Sequence, residues 1–170
     1  MRQTAMTLAL TPIRALPRDF ADLQATAEAE GFRFLQRLGA RWDAKSYAGD
    51  CDATIWGAVS DGALIAIGAQ THDEYDLSPL HRRIRHFYVR PDRRRGGVGR
   101  AVAARLIADA HRLAPRLHLR ATHALSATFW DSVGFSRIAG REDRTHELIR
   151  AGYTTRPPNT RSFSSGAPSQ

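Results

Sequence analysis

Apolar residues recur along the chain in two rhythms. Phe20, Leu23 and Ala27 lie three and four residues apart, the spacing of one helical face. They predict a helix over Pro17–Glu30, stopped at Gly31. Phe34, Leu35 and Leu38 predict a second, shorter helix over Phe32–Leu38, ahead of Gly39. Ala53–Ser60 and Ala63–Thr71 read as strands joined by Asp61-Gly62, a strong hairpin signal. "RIRHFYV", Arg83–Val89, is rich in β-branched and aromatic residues and reads as a strand that Pro91 ends. Val98, Val102, Leu106 and Leu113 then line one helical stripe, with Ala103 and Ile107 beside it and Arg100, Arg105, Asp109 and Arg112 opposite. In "LHLRAT", Leu117, Leu119 and Ala121 alternate with His118, Arg120 and Thr122. A short helix is predicted over Ser126–Val133, closed by Gly134, and a last strand over Thr145–Ile149. This order predicts a mixed α/β (α+β) domain with an antiparallel half and one strand–helix–strand crossover.

The 170-residue length suits one domain with a useful core. We expect that domain to run over 1–152, with 153–170 a disordered tail, because "TTRPPNTRSFSSGAPSQ" has little to bury. No stretch approaches about 18 uninterrupted apolar residues, so no membrane span is expected. Thr, Pro and Arg interrupt "MRQTAMTLALTPIRALP", which therefore lacks a signal-peptide core. Cys51, the only cysteine, cannot form an internal disulfide and fits a cytoplasmic setting.

Charge placement sharpens the picture. The net charge is +8, and Arg82–Arg100 alone carries +7, from eight arginines and Asp92. Within it, "RPDRRRGGV" joins a strand to a helix. The first amides of a helix lack internal partners, and the helix dipole makes them attractive to anions. Glycines let an anion approach the backbone, and arginines add charged, paired donors. Such parts make a diphosphate cradle. A solvated, arginine-rich turn has the same sequence. Neither the Gly-x-x-x-x-Gly-Lys-Ser/Thr nor the Gly-x-Gly-x-x-Gly nucleotide motif is present.

"VRPDRRRGGVGRAV", Val89–Val102, resembles the acyl-CoA loop of the GNAT superfamily of N-acyltransferases. The family pattern Arg/Gln-x-x-Gly-x-Gly/Ala falls on Arg94, Gly97 and Gly99. "SATFWDSVGF", Ser126–Phe135, is similar to the family's second motif, and the hairpin also sits where the family has one. The resemblance covers roughly Leu8–Ile149. It implies a GNAT-like fold: a mixed, mostly antiparallel central sheet with a splayed strand pair and flanking helices. It further implies that backbone at Phe87, Tyr88 and Val89 pairs with a pantetheine arm. Arg94, Arg95, Gly96, Gly97, Val98, Gly99 and Arg100 would hold the pyrophosphate, with Phe129 and Trp130 against the cofactor. Acetyl-CoA, or another acyl-CoA, is the implied co-substrate, and no metal is expected.

The catalytic pattern departs from the family. Many members carry a tyrosine acid where this chain has Trp130, and indole N–H is no useful proton donor. Members often have a carboxylate base on the preceding strand, where this chain offers Arg85 and His86. His86 and Tyr88 are therefore the catalytic candidates, His86 as base and Tyr88 as acid or substrate contact. Both are also ordinary core residues for a buried strand. The N-terminal helices and the loop from Thr71 to Arg82 are expected to shape the acceptor pocket; that loop contains His72, Asp73, Glu74, Tyr75 and Asp76, whose acids would hold a cationic amine or simply be solvated. His123 and Ser126 sit near the second motif, and Ser126 also reads as a helix-start residue. Thr145 and His146 read as strand residues. Cys51 has no evident catalytic partner.

The expected activity is transfer of an acetyl group from acetyl-CoA to a primary amine, on a small molecule or peptide, by direct attack. One alternative is a CoA-binding regulator lacking the usual acid. Another is an acetyltransferase acting on an RNA-linked amine. Nucleic acid is otherwise not expected as a partner, because the charge concentrates at the cofactor loop. Membrane is not expected either, and a homodimer fits the family habit.

Overall fold

Asp61 and Gly62 both adopt left-handed backbone, at φ 52° and 79°, the pairing a two-residue hairpin turn needs. They join β2 (Thr54–Ser60) to β3 (Ala63–His72). The computed structural model describes residues 8–43 and 45–154. Ahead of the hairpin come β1 (Leu8–Pro12), α1 (Phe20–Ala29) and α2 (Phe34–Arg41). After it come β4 (His81–Val89), a 3-10 turn at Pro91–Arg93, α3 (Val98–Leu113), β5 (Arg116–Leu119), α4 (Ala124–Val133), β6 (Ser136–Arg137) and β7 (His146–Ile149).

The described strands form one sheet in the order β1-β2-β3-β4-β5-β7-β6. All neighbours are antiparallel except β4 and β5, which α3 joins as a parallel crossover. One face is covered by α1 and α2, with Leu23, Ala27, Leu35 and Leu38 packed on Ile55, Ile67 and Tyr88. The other meets α3 and α4, through Val98, Val102, Leu106 and Trp130 against Ile65, Ile84 and Leu117. Burying side chains of this size contributes about 1.5–3 kcal/mol each.

The predicted elements are present, with shifted ends. The second helix starts at Phe34, not Phe32, and runs on to Arg41. His123, not Ser126, precedes the first turn of α4, so Ser126 lies inside that helix. Strand pairing of "LHLRAT" ends at Leu119. The edge strands β1 and β6 were not anticipated. Two residues expected opposite the apolar positions are buried: Asp109 at 7% and His118 at 1% exposure. Asp109 accepts from Trp56 Nε1 at 2.7 Å and Thr54 Oγ1 at 2.9 Å, pinning α3 to β2. His118 lies in an inner strand and meets Asp73 at 2.9 Å. Leu113, expected on the apolar stripe, is 44% exposed. Residues 1–7 and 155–170, and with them most of the expected tail, lie outside the described residues.

Two departures from regular pairing shape the centre of the sheet. First, β5 meets β4 only at His81↔Arg116, Arg82↔Leu117 and Arg83↔His118. From Ile84 to Val89, β4 has no strand partner on that side, so the two strands splay. Second, β3 and β4 shift register: Ile67 faces Tyr88, but Ala69 faces Arg85. The extra residue forms a bulge at His86, whose φ is 55°. A regular strand would send Arg85 and His86 to opposite faces. The bulge turns both toward Tyr47 on the α1/α2 side, at 5.7 Å from its ring for the Arg85 guanidinium carbon and 5.3 Å between rings for His86.

Candidate active site

The unpaired end of β4 leads directly into the glycine loop. Gly97 caps α3 with φ 80°, and no side chain caps the helix. The first amides of α3 are therefore left without intrahelical partners, as any helix start leaves them. Arg95, Gly96 and Gly97 are exposed, and Arg95 also has a positive φ of 64°. Gly99 lies close to α4: a Cβ there would sit 3.4 Å from both Phe129 and Val89. Phe129 stacks on Phe87 at 5.3 Å, and Trp130 meets Phe87, Phe129 and Phe135 edge-on. Trp130 is 4% exposed and is a packing residue beside the splay.

The arginine-rich stretch is much less positive than its sequence suggests. Arg82 pairs with Asp50, Arg83 with Asp73, Arg85 with Glu74, Arg90 and Arg93 with Asp92, and Arg94 with Glu30. Six of the eight guanidiniums thus meet a carboxylate, most of them supplied from outside the stretch. Arg100 donates to the Ser132 carbonyl at 3.1 Å. Among the described residues, only Arg95 and Arg100 of these eight lack an acidic partner, and they flank the free amides. Arg94 donates through Nη1 and Nη2 to Glu30 and through Nε to the Val89 carbonyl. It ties the loop to the end of α1 and does not point free into the cradle.

Glu30 also accepts the Tyr88 hydroxyl at 2.5 Å. Burial pushes Glu30 up, but the bonds from Arg94 and Tyr88 outweigh it and hold its carboxyl below the usual range. Burial, then the Glu30 hydrogen bond, raises Tyr88 above the ordinary phenol range, so it keeps its proton at neutral pH. Phe32 and Phe34 pack around the Tyr88 ring, and Phe32 meets His123 across the mouth of the splay at 5.0 Å.

His86 is 7% exposed with both ring nitrogens engaged. Nδ1 donates to the Phe34 carbonyl at 2.8 Å, so Nε2 accepts from the Tyr47 hydroxyl at 2.7 Å. Burial first, then the nearby Arg85, lowers its pKa to about 3. The ring is neutral at pH 7, and its one lone pair is already occupied. The acids of the 72–76 loop are likewise engaged. Asp73 binds Arg83 and His118, Glu74 binds Arg41 and Arg85, and Asp76 binds His81 and Arg144. From sequence the loop reads as either an amine clamp or a solvated turn; in the structure its acids pair with the chain's own basic side chains.

Glu30 and Tyr47, both central here, were not among the residues singled out from sequence. Glu30 sat in view as the last residue of a predicted helix, but nothing local links it to Arg94. His123 lies at the mouth of the splay, whereas Ser126 is helical and partly buried. Cys51 is exposed and free. Among the described residues no His, Cys, Asp and Glu group is arranged to hold a metal, and no helix is long and apolar enough to cross a membrane.

A parallel β4–α3–β5 crossover, a splay on its C-terminal side and a glycine-capped helix start define an acyltransferase fold of one class. The family model for the acetyltransferase (GNAT) family matches residues 20–135. The chain belongs to that family. An acetyltransferase candidate from Exiguobacterium sp. 255-15 superposes with a TM-score of 0.75 at 25% identity, covering 85% of this chain and 94% of that one. An acetyltransferase from Streptococcus agalactiae 2603 gives 0.60 at 13% identity, covering 84% and 97%. N-acetylglutamate synthase from Neisseria gonorrhoeae, solved with coenzyme A and N-acetyl-glutamate, gives 0.59 at 19% identity, with 84% of this chain on 35% of that one. No curated protein sequence matches the chain.

Proposed function

We propose that the protein transfers an acetyl group from acetyl-CoA to a primary amine by direct attack of the amine on the thioester. One observation carries this: the partnerless edge of β4, Ile84–Val89, runs straight into the uncapped start of α3. A strand edge without a partner strand suits the amides of a pantetheine arm, although at its end the Val89 carbonyl already accepts from Arg94 Nε. The helix start suits a diphosphate.

We assign the backbone of Phe87, Tyr88 and Val89 to the arm, and the loop Arg94–Arg100 to the pyrophosphate. In that loop Arg95 and Arg100 supply the uncommitted charge, and Gly96, Gly97, Val98 and Gly99 supply close backbone. Phe129 and Trp130 wall the cleft beside the arm. His86 serves as a positioning residue that holds Tyr47 and the bulge. Tyr88 keeps its hydroxyl proton, shared with Glu30, and is the candidate acid or substrate contact. The acceptor side is the α1/α2 face, lined by Phe32, Phe34 and Tyr88. Acetyl-CoA supplies the activated acyl group, and the chain's part is to align it and exclude water. We assign this activity to residues 1–152 and none of it to 153–170, and place it in the cytoplasm, where acetyl-CoA is available.

Isothermal calorimetry with acetyl-CoA, followed by mass spectrometry of an amine panel, tests the assignment. Cofactor binding with an acetylated product supports it. No heat of binding on folded protein refutes it, and binding without any product favours a CoA-binding regulator.

A further inference from the structure

The bulge that brings Arg85 to the acceptor face leaves part of its guanidinium unused. Nη1 donates to Glu74 Oε1 at 3.1 Å. Among the described residues Nε and Nη2 have no hydrogen-bond partner, although both are buried. Buried donors are rarely left unpaired, because each forfeits its hydration. These two share one edge of the guanidinium, the edge that takes both oxygens of a single carboxylate. The same chain shows that grip elsewhere: Arg90 holds Asp92 through Nε at 3.1 Å and Nη2 at 3.0 Å.

A third donor is stranded nearby. Trp42 Nε1 is buried without a partner. Trp42 bridges Tyr47 in antiparallel fashion, so the two side chains stand on the same side. Tyr47 is the residue whose ring lies under both Arg85 and Arg41. Charge is unbalanced in the same direction. Arg41 and Arg85 share the single carboxylate of Glu74. Among the described residues the cluster therefore has a surplus of donors and of positive charge, with two guanidiniums to the one carboxylate of Glu74.

We propose that this cluster, Arg85 with Trp42 and Arg41, binds the carboxylate of the acceptor, making the substrate an amino acid. This rests on the acetyltransferase reading above and deepens it. Arg85 lies two residues before Phe87, the first residue assigned to the pantetheine arm, on the same unpaired edge. A strand advances about 3.3 Å per residue, so a carboxylate on Arg85 sets an amine a few bonds away close to the thioester. Entry passes the exposed members of the cluster: Arg41 and Glu74 side chains are 41% and 34% exposed, against 13% for Arg85.

The test uses the full chain, acetyl-CoA, the common amino acids and their α-amides. Calorimetry with acetyl-CoA is run first, on the wild type and on Arg85→Gln. Equal cofactor binding by both is expected, because Arg85 does not touch the proposed cofactor loop. At least one amino acid should then be acetylated with a KM about tenfold or more below that of its amide, the scale of a charge-assisted pair. Arg85→Gln should erase that ratio, and Arg85→Lys should restore part of it. Trp42→Phe keeps the ring, removes the donor and should raise the same KM by a smaller factor; it also serves if Arg85→Gln fails to fold. Cofactor binding with equal use of acids and amides, or an acid-to-amide ratio that survives Arg85→Gln, overturns the carboxylate site and leaves the acetyltransferase reading intact. Absence of cofactor binding overturns both.

Discussion

Arg94 grips Glu30 end-on, with Nη1 and Nη2 at 2.9 and 2.7 Å from its two carboxylate oxygens. The motif arginine of the loop proposed to hold the cofactor is thus neutralised by the residue that ends a distant helix. Removing the acid should matter more for binding than for folding. Both side chains are partly exposed, so losing the pair should cost less than about 1 kcal/mol. Glu30→Gln also removes a negative charge beside a site proposed for a polyanion. We expect acetyl-CoA to bind severalfold tighter to Glu30→Gln at low salt, with the gain shrinking as salt screens it. Calorimetry at two ionic strengths checks this. Weaker binding at low salt would mean that Glu30 positions Arg94 for the cofactor and does not compete for it.

Gly97 carries two constraints that can be separated. Its φ of 80° favours glycine, while a Cβ there would meet nothing within 4 Å. Gly97→Ala should therefore fold normally and lose about 1–2 kcal/mol from the left-handed conformation alone. Gly97→Glu adds a negative charge at the proposed diphosphate site. We expect its affinity for acetyl-CoA to drop at least about a hundredfold beyond the alanine variant, given about 4 kcal/mol for like charges at contact near a protein surface. Titration calorimetry on both variants, with melting curves, reads the two effects apart. Equal affinities would remove Gly97 from the site.

What could be read from the chain alone was whatever is decided locally. Asp61-Gly62 announces its turn because the two residues themselves tolerate left-handed backbone. The α3 stripe announces its face because Val98, Val102 and Leu106 repeat at helical spacing. The fold class, and the loop proposed to hold the cofactor, followed from such signals and from the family resemblance. What stayed hidden depends on distant partners. Asp109 reads as a solvent-facing acid until Trp56, 53 residues away, is seen to donate to it. His118 reads only as facing away from Leu117 and Leu119 until Asp73, 45 residues away, meets it inside the sheet. The positive stretch loses most of its charge to acids as far off as Glu30, 64 residues from Arg94. The bulge at His86 leaves no mark in "RIRHFYV", yet it decides that Arg85 and His86 share one face. β1 escaped notice because five residues at a sheet edge carry too short a pattern to stand out.

His86 makes the protein acid-sensitive in a definite window. Its folded pKa is lowered to about 3 by burial and then by Arg85, against an ordinary 6.5. Between those values the unfolded chain takes up a proton that the native ring refuses. Stability therefore rises with pH across that window and falls as pH drops through it, by on the order of 5 kcal/mol. Asparagine tolerates left-handed backbone and cannot titrate. His86→Asn should be somewhat less stable than wild type at pH 8, having lost the bond with Tyr47. Its stability should also fall less steeply between pH 6.5 and 4. Urea denaturation at several pH values measures both, and an unchanged slope would show that the native ring does take up the proton.

Asp73 sets a second limit, lower on the pH scale. Its side chain is fully buried, donated to by Arg83 Nη1 at 3.1 Å and placed 2.9 Å from His118 Nδ1. Burial alone would raise its pKa, but the His118 hydrogen bond and the Arg83 charge win and lower it from 3.8 to about 2. A carboxyl depressed in the native state contributes stability that is full above the unfolded pKa. That contribution is lost as pH falls from near 4 toward 2, and it amounts to about 2–3 kcal/mol. Asp73→Asn should cost about 3–5 kcal/mol at pH 7, because it leaves Arg83 buried without its counter-ion. The variant should also lose less stability than wild type on going from pH 5 to pH 2, since the titrating group is gone. Denaturation curves over that range decide the point: parallel pH profiles for the two proteins would show that Asp73 is held no more tightly folded than unfolded.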